Sequence, residues 1–222
     1  MKLFSLNVGV PREVPYLDGT VSTGIYKQPV EGCVTLRRLN LDGDRQADLT
    51  VHGGPYKAVY CYPHEHYAYW KSALPGRELP IAIFGENFTT EGMFENTVHI
   101  GDRFAVGTAE IAVTQPRQPC FKLGIRFSDG LMIKRFLASG RSGFYVKVEK
   151  SGEVAAGDEI TLLARDPEAI SIADFNRLYL AHDHTPEDVE TIQRLYRIPA
   201  VPQDWKDFFA EKLARLDQLK ES

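Results

Sequence analysis

Residues 113–123, VTQPRQPCFKL, set a thiol, Cys120, between two cations, Arg117 and Lys122. Nearby positive charge lowers a thiol's pKa and favours the thiolate, the form that attacks electrophiles or ligates a metal. Pro116 and Pro119 lack a backbone donor and hold φ. The sequence therefore predicts a stiff, irregular loop leaving a strand over 111–113. The same residues also read as a proline-rich turn around a buried cysteine, since free cysteine is among the most buried residue types. Residue types alone leave both readings open.

Other candidates follow from local chemistry. His52-Gly53-Gly54 lets backbone amides approach a ligand, because glycine tolerates positive φ and successive amides make an anion-binding nest. It also reads as a tight turn with a surface histidine. A similar motif forms an oxyanion hole in esterases, but those need a G-x-S-x-G elbow and no serine here sits in one. Glu86-Asn87 either positions a ligand or holds a glycine turn together. Cys61, His64 and His66 hint at zinc, yet His64 and His66 would not share a helix face, and four-ligand spacings are missing. Asp42, Asp44 and Asp48 lack the glycine and closing glutamate of a calcium loop.

The elements that must position these residues can be read in order. Residues 3–10 predict a first strand; Pro11, Pro15 and Gly19 then predict a loop. A short strand is expected over 33–39, a long Gly- and Asp-rich loop over 42–54, and a strand over 57–62. Pro63 is expected to open a helix to about 73, with Tyr67 and Trp70 at helical spacing. Residues 84–90 read as a turn and 97–113 as hairpin strands around Gly101-Asp102 and Gly107-Thr108. Ser128 is expected to cap a helix over 129–139 that Gly140 ends. Strands follow at 143–149 and 158–163, joined through Ser151-Gly152 and Gly157. Beyond Asp166-Pro167 the period becomes helical. Ser171 caps one helix and Thr185-Pro186 with Asp188 a second; Trp205, Phe209, Leu213 and Leu216 share a face of a third.

The totals bound the class. The chain has 222 residues, 43% hydrophobic and 25% charged, and suits a large globular domain with an appendage. Its net charge of −4 argues against binding nucleic acid polymers, which rests on neutralising phosphates. Three widely spaced cysteines make no disulfide framework, and no long apolar run reads as a leader or a membrane span. A cytoplasmic location is expected, where a thiolate stays reduced.

Together these motifs resemble a known family. The order is GDRQAD-x4-GG (43–54), KAVYCY, FGENF, Gly101-Asp102, QPRQPCFKL (115–123) and GFYVKV…GEVAAGD (143–158). This is similar to the molybdenum cofactor sulfurase C-terminal (MOSC) domain over about residues 20–163. The helical tail resembles that of the YiiM-like branch. Departures are Phe88, where leucine is frequent, and Lys147, where arginine is frequent; lysine is a point charge rather than a fork.

The resemblance implies a mainly β (α+β) fold: a MOSC-type β-barrel with a few peripheral helices over 1–165, then a separate three-helix domain over 166–222. The tail is expected to be dispensable for folding of the first domain. The resemblance also implies a bound molybdenum cofactor (molybdopterin), Cys120 as its metal ligand, and a likeness to pyridoxal phosphate-binding proteins. A soft thiolate suits a metal held mostly by sulfur. Gly53, Gly54, Lys57, Glu86, Asn87, Gln115, Arg117 and Lys122 are the expected cofactor contacts, and His52 joins Cys120 as a catalytic candidate. The implied activity is reduction of N-hydroxylated compounds, including hydroxylamino nucleobases such as 6-hydroxylaminopurine. Electrons would come from a separate flavin-containing reductase, with no membrane or polymer partner and with a homodimer as an admissible assembly. Two further functions fit the residues: a carrier of the cofactor or of sulfur, and a cysteine hydrolase using Cys120 and His52.

Overall fold

The computed structural model describes residues 1–48 and 52–221. The strands are β1 (Lys2–Val8), β2 (Arg12–Tyr16), β3 (Gly19–Thr23), β4 (Gln28–Pro29), β5 (Cys33–Leu36), β6 (Val59–Pro63), β7 (Phe88–Glu91), β8 (Arg103–Val106), β9 (Ala109–Pro116), β10 (Phe144–Lys150), β11 (Gly152–Ala155) and β12 (Ile160–Ala164). The helices are α1 (His66–Ala73), α2 (Phe121–Phe127), α3 (Met132–Ser139), α4 (Ile172–Leu180), α5 (Pro186–Leu195) and α6 (Gln203–Glu221). The fold is a sheet-dominated α+β arrangement.

Eight strands form one sheet in the order β12-β8-β9-β10-β6-β7-β1-β4. Its pairs are antiparallel except β6 with β7. The expected closed barrel is not formed. The free edge of β1 is divided: Asn7 and Val8 pair with β4, while Lys2 bridges to Glu159 just before β12. With its edge shared, β1 forms no continuous ladder along β12, and the sheet ends meet only around that bridge, where Leu3 N donates to Asp158 O (2.9 Å), Gly157 N to Leu3 O (2.7 Å) and Ile160 N to Met1 O (2.9 Å). The alternating burial of β10 shows a strand with one face on the core, whereas β9 is buried on nearly every residue. Helices cover its second face: the Trp205 indole of α6 donates to Gln115 of β9 at 2.6 Å.

Several local expectations change. Residues 11–19 form no simple loop: β2 and β3 make a hairpin pairing Val14 with Val21 and Pro15 with Thr20, and Leu17 turns it at φ 51°. Proline is tolerated because a two-stranded ribbon leaves one edge of each strand unpaired. Pro63 closes β6 opposite Thr90 rather than opening α1. Residues 88–91 are strand, not turn, and β5 stops at Leu36. Residues 97–100 lie outside the hairpin and meet the tail instead, through the His99–Ser171 bridge. Residues 152–155 pair with β5 rather than serving only as a linker. Residues 49–51 of the expected 42–54 loop, and the side chain of Leu216, lie outside the described residues.

The helical tail begins as its sequence indicates. Ser171 with Asp174, and Thr185 with Asp188, form reciprocal capping boxes, and Pro186 enters α5 in its first turn. Packing crosses the 165/166 boundary. Phe175, Leu178, Ile192, Leu195 and Phe209 belong to the same buried cluster as Ile111, Val113 and Val146, with Trp205 and Leu213 against it. Backbone bonds from Ile172 to Val98 (3.0 Å) and from Ala173 to Glu95 (2.8 Å) fix α4 to the preceding segment. A second cluster, built on Tyr60, Tyr62, Trp70, Phe84, Phe127 and Phe136, lies between the sheet and α1–α3.

Candidate functional site

β9 ends at Pro116, opposite Phe144 of β10, and the chain leaves the sheet there. Residues 117–120 are irregular, but the loop is shorter than expected. Cys120 is the N-cap of α2, with extended φ −116° and ψ 174°. The helix was hidden because both prolines precede that cap, where a missing amide costs no helical bond. Ser128 does not cap the next helix; at φ 46° it terminates α2, and Gly140 ends α3 as expected. The junction thus holds Arg117 at the sheet's edge and Cys120 at a helix N-terminus.

Arg117 is buried. Its guanidinium lies 4.7 Å from the Tyr60 ring centroid and 5.3 Å from that of Phe136, and donates to the Tyr60 hydroxyl at 3.4 Å. Tyr60 in turn donates to the Ser142 carbonyl at 2.8 Å. Burial works against the arginine's charge, but Tyr60, Tyr145 and Cys120 outweigh it and hold the group firmly cationic. Cys120 Sγ lies 3.6 Å from His52 Nε2. Burial would raise this thiol. The His52 hydrogen bond, the Arg117 charge and the Lys122 backbone amide overcome burial and bring it down to about 7.

The sulfur opens into a cavity of about 90 Å³. That is room for an anion-sized group, so a larger ligand would project from its mouth. His52, Gly53, Lys57, Asn87, Arg117, Cys120 and Lys122, all singled out from the sequence, line it. Lys27, Arg45, Tyr60 and Tyr145 line it too. Three of these had a sequence signal, since Arg45 lies in GDRQAD, Tyr60 in KAVYCY and Tyr145 in GFYVKV; Lys27 had none. Lys27 is buried against Asp44, whose Oδ1 also accepts the Gly9 amide at 2.9 Å. Burial lowers the Lys27 pKa, and Asp44 opposes that shift.

Three expected contacts lie off the cavity wall. Gly54, at φ 80°, starts the short 3-10 turn Pro55–Lys57 that carries Lys57. Glu86 is fully buried: its Oε1 accepts from Tyr67, from the Ala82 amide and from Thr89, and so braces the turn before β7. Burial raises its pKa, with the Tyr67 hydrogen bond acting against it. Gln115 accepts the Trp205 indole and ties α6 to the sheet. Asn87 does both jobs, since its side chain also bonds Tyr60 N and Asn7 O, each at 3.2 Å. Lys147 pairs with Glu149 at 2.9 Å, away from the lining residues. Cys61, His64 and His66 have separate surroundings: the main core, the Phe4 ring and Glu95.

The cavity suits an anionic group held at one end by sulfur. Five cationic side chains converge on it, the thiol beside them ionises near neutrality, and His52 Nδ1 is buried without a hydrogen-bond partner among the described residues. A soft thiolate with clustered cations matches the donor set that a phosphorylated, sulfur-rich metal cofactor requires.

A family model described as MOSC domain matches residues 48–161. The uncharacterized protein YflK of Bacillus subtilis (strain 168) is 40% identical over 96% of this chain and 95% of its own. A protein named reductase from Gibberella moniliformis is 34% identical over 75% of this chain, which corresponds to 30% of its own length. The crystal structure of YiiM from Geobacillus stearothermophilus superposes with a TM-score of 0.79 at 31% identity, covering 96% of this chain and 98% of that one.

Proposed function

The chain belongs to the MOSC domain family as a YiiM-like member, and we propose that it is a molybdenum cofactor-dependent reductase of N-hydroxylated compounds. The carrying observation is the Cys120 sulfur, brought down to about 7 at the wall of a cavity that Arg117, Lys122 and Lys57 also line. The name of the Gibberella relative supports reductive chemistry. Hydroxylamino nucleobases are the substrate class we assign, with electrons from a separate flavin-containing reductase. The compartment we assign is the cytoplasm; no helix among the described residues is long and apolar enough to cross a membrane.

In this reading Cys120 holds the metal end of the cofactor through its thiolate. Arg117, Lys122 and Lys57 hold its anionic part, with Gly53 giving the backbone close approach. When bound, the cofactor supplies the two electrons that turn an N–OH group into an amine. The net change also consumes two protons and releases water. His52 is the chain's own proton-carrying group at the cavity, beside the sulfur. Tyr60 and Phe136 exclude water from the Arg117 side and keep its charge aimed at the cavity.

The 3.6 Å contact between Cys120 and His52 favours a second reading, a thiolate nucleophile with a histidine base. Such a pair needs a third group to orient the base, and among the described residues His52 Nδ1 has none. Expression in a cofactor-producing host separates the two. Molybdenum bound in proportion to protein, lost in Cys120→Ala, with turnover of 6-hydroxylaminopurine under a supplied electron donor, supports the reductase. Metal-free protein that hydrolyses an ester through Cys120 overturns it.

A further inference from the structure

Next to the cavity, the β2–β3 hairpin faces α2 and α3 across a groove of about 730 Å³, within the usual size of small-molecule sites. Its walls are largely aromatic and carry one cation, Arg12, while Arg126 reaches it only through the ring of Tyr26, a lining residue. The Tyr16 and Phe121 rings approach to 4.9 Å, and Phe121, the residue after Cys120, is 40% exposed. On the other side, the guanidinium of Arg12 lies 3.5 Å from the Tyr26 centroid, and that of Arg126 lies 4.7 Å from the same ring. Tyr26 lines the groove, while its neighbours Ile25 and Lys27 line the Cys120 cavity, so groove and cavity share a wall.

Arg126, part-buried beside a second guanidinium, bears a cost that an anion would relieve. The two arginines share one ring face-on, and among the described residues neither has a carboxylate partner. The Nε of Arg126 is buried with no acceptor among the described residues. Burial, and then the charge of Arg12, hold the Arg126 pKa down. Guanidinium forks match phosphate oxygens, and flat aromatic faces accept a stacked base. Arg126 lies six residues along α2 from Cys120, about 9 Å at 1.5 Å rise per residue, comparable with the reach from a base to its 5′-phosphate.

We propose that this groove binds a nucleoside phosphate, with the base against Tyr16 and Phe121 and the phosphate on Arg12, at the Tyr26 edge of the groove on which Arg126 also stacks. The proposal rests on the reading of the chain as a reductase of N-hydroxylated bases and narrows its substrates to nucleotides. The base enters beside Phe121 with its exocyclic nitrogen toward the Cys120 cavity. The phosphate anchors the far end.

The test uses the full chain and needs no turnover. Adenosine 5′-monophosphate and adenosine are titrated calorimetrically into the wild type, Arg12→Met and the Arg12→Met/Arg126→Met double variant. The wild type should bind the monophosphate about 10- to 100-fold tighter than the nucleoside, the value of charge-assisted hydrogen bonds to a phosphate. Arg12→Met, on the exposed hairpin, should lose part of that preference; the double variant should bind both ligands alike with unchanged molybdenum content. Equal binding of the two ligands by the wild type overturns the proposal, as does a preference that survives both substitutions. Molybdenum lost from the double variant also overturns it, and assigns the arginines to the cofactor. Rates on 6-hydroxylaminopurine and its ribonucleoside monophosphate then separate the two ideas. Turnover of the free base with no nucleotide preference sinks the groove and spares the reductase. Nucleotide binding without reduction of either compound does the reverse.

Discussion

Cys61 and Cys120 belong to regions that treat the same side chain in opposite ways. Cys61 sits mid-strand on β6, completely buried in the main hydrophobic cluster, and burial pushes its thiol up. Cys120 is only partly buried at a strand-to-helix junction, and its thiol falls to about 7. Burial acts in the same direction on both. The difference lies in what stands opposite the sulfur: apolar side chains around Cys61, and His52, Arg117 and a helix N-terminal amide around Cys120. The fold uses one cysteine as a small hydrophobe and presents the other, readily ionised, at the wall of a cavity.

The largest expected effect comes from removing the second sulfur. Cys120→Ala should abolish both molybdenum retention and reduction of hydroxylaminopurine while costing about 1 kcal/mol of stability, as a typical point variant does. Serine should fail as well, since a hard, neutral hydroxyl is a poor ligand for a soft metal. Near-normal metal content in either variant would break the contrast between the two cysteines.

The next effect concerns the charge that makes Cys120 different. In the wild type, alkylation by iodoacetamide should follow a titration centred near pH 7. Arg117→Met should move that midpoint upward, and an unmoved midpoint would show that Arg117 does not set the thiolate. The sign for stability follows from the same shift. A thiol whose folded pKa is depressed stabilises the fold fully above its unfolded pKa near 9, and loses that contribution as pH falls through about 7. Between pH 7 and 9, the wild type should therefore gain stability with pH relative to Cys120→Ala. Denaturant midpoints across that window measure it.

Cys61→Ala should leave metal content and turnover intact and act on stability alone. Deleting a fully buried sulfur leaves a small void and costs on the order of 1–2 kcal/mol, read from the urea midpoint. Serine should cost more, because its hydroxyl is buried in an apolar cluster.

The smallest effect is expected at Lys147, whose ammonium pairs with Glu149 and does not line the cavity. Lys147→Arg should change kcat/KM for the N-hydroxylated substrate less than twofold, a difference of under about 0.5 kcal/mol. A tenfold gain would place this strand position in contact with ligand.

Much of this protein could be read without coordinates, because its signals are local. The caps at Ser171 and Thr185 bond to amides three residues on, so their sequence suffices to start α4 and α5. The strand before Pro116, the hairpin turn near Gly107 and the cationic neighbours of Cys120 are likewise fixed within a few residues. The signal at 113–123 identified the sulfur that the structure places in the cavity. Where a motif residue had two physical roles open to it, the chain could not choose. Glu86 and Gln115 belong to motifs around the site, yet bonds to Tyr67 and Trp205, partners 19 and 90 positions away, commit them to holding elements together. Lys27, Arg45 and Tyr145 reach the cavity from three distant segments, and no local pattern marks that convergence. The prolines misled in the same way. Pro15, Pro63 and Pro119 were each legible as breaks, but whether a break ends a strand, edges a ribbon or precedes a helix cap depends on which neighbour takes the remaining hydrogen bonds. Sequence thus determined the chemistry the chain can offer and the starts of α4 and α5. Which groups meet, which cysteine ionises and whether the sheet closes were decided by long-range pairing, because those outcomes depend on partners the chain brings together only when folded.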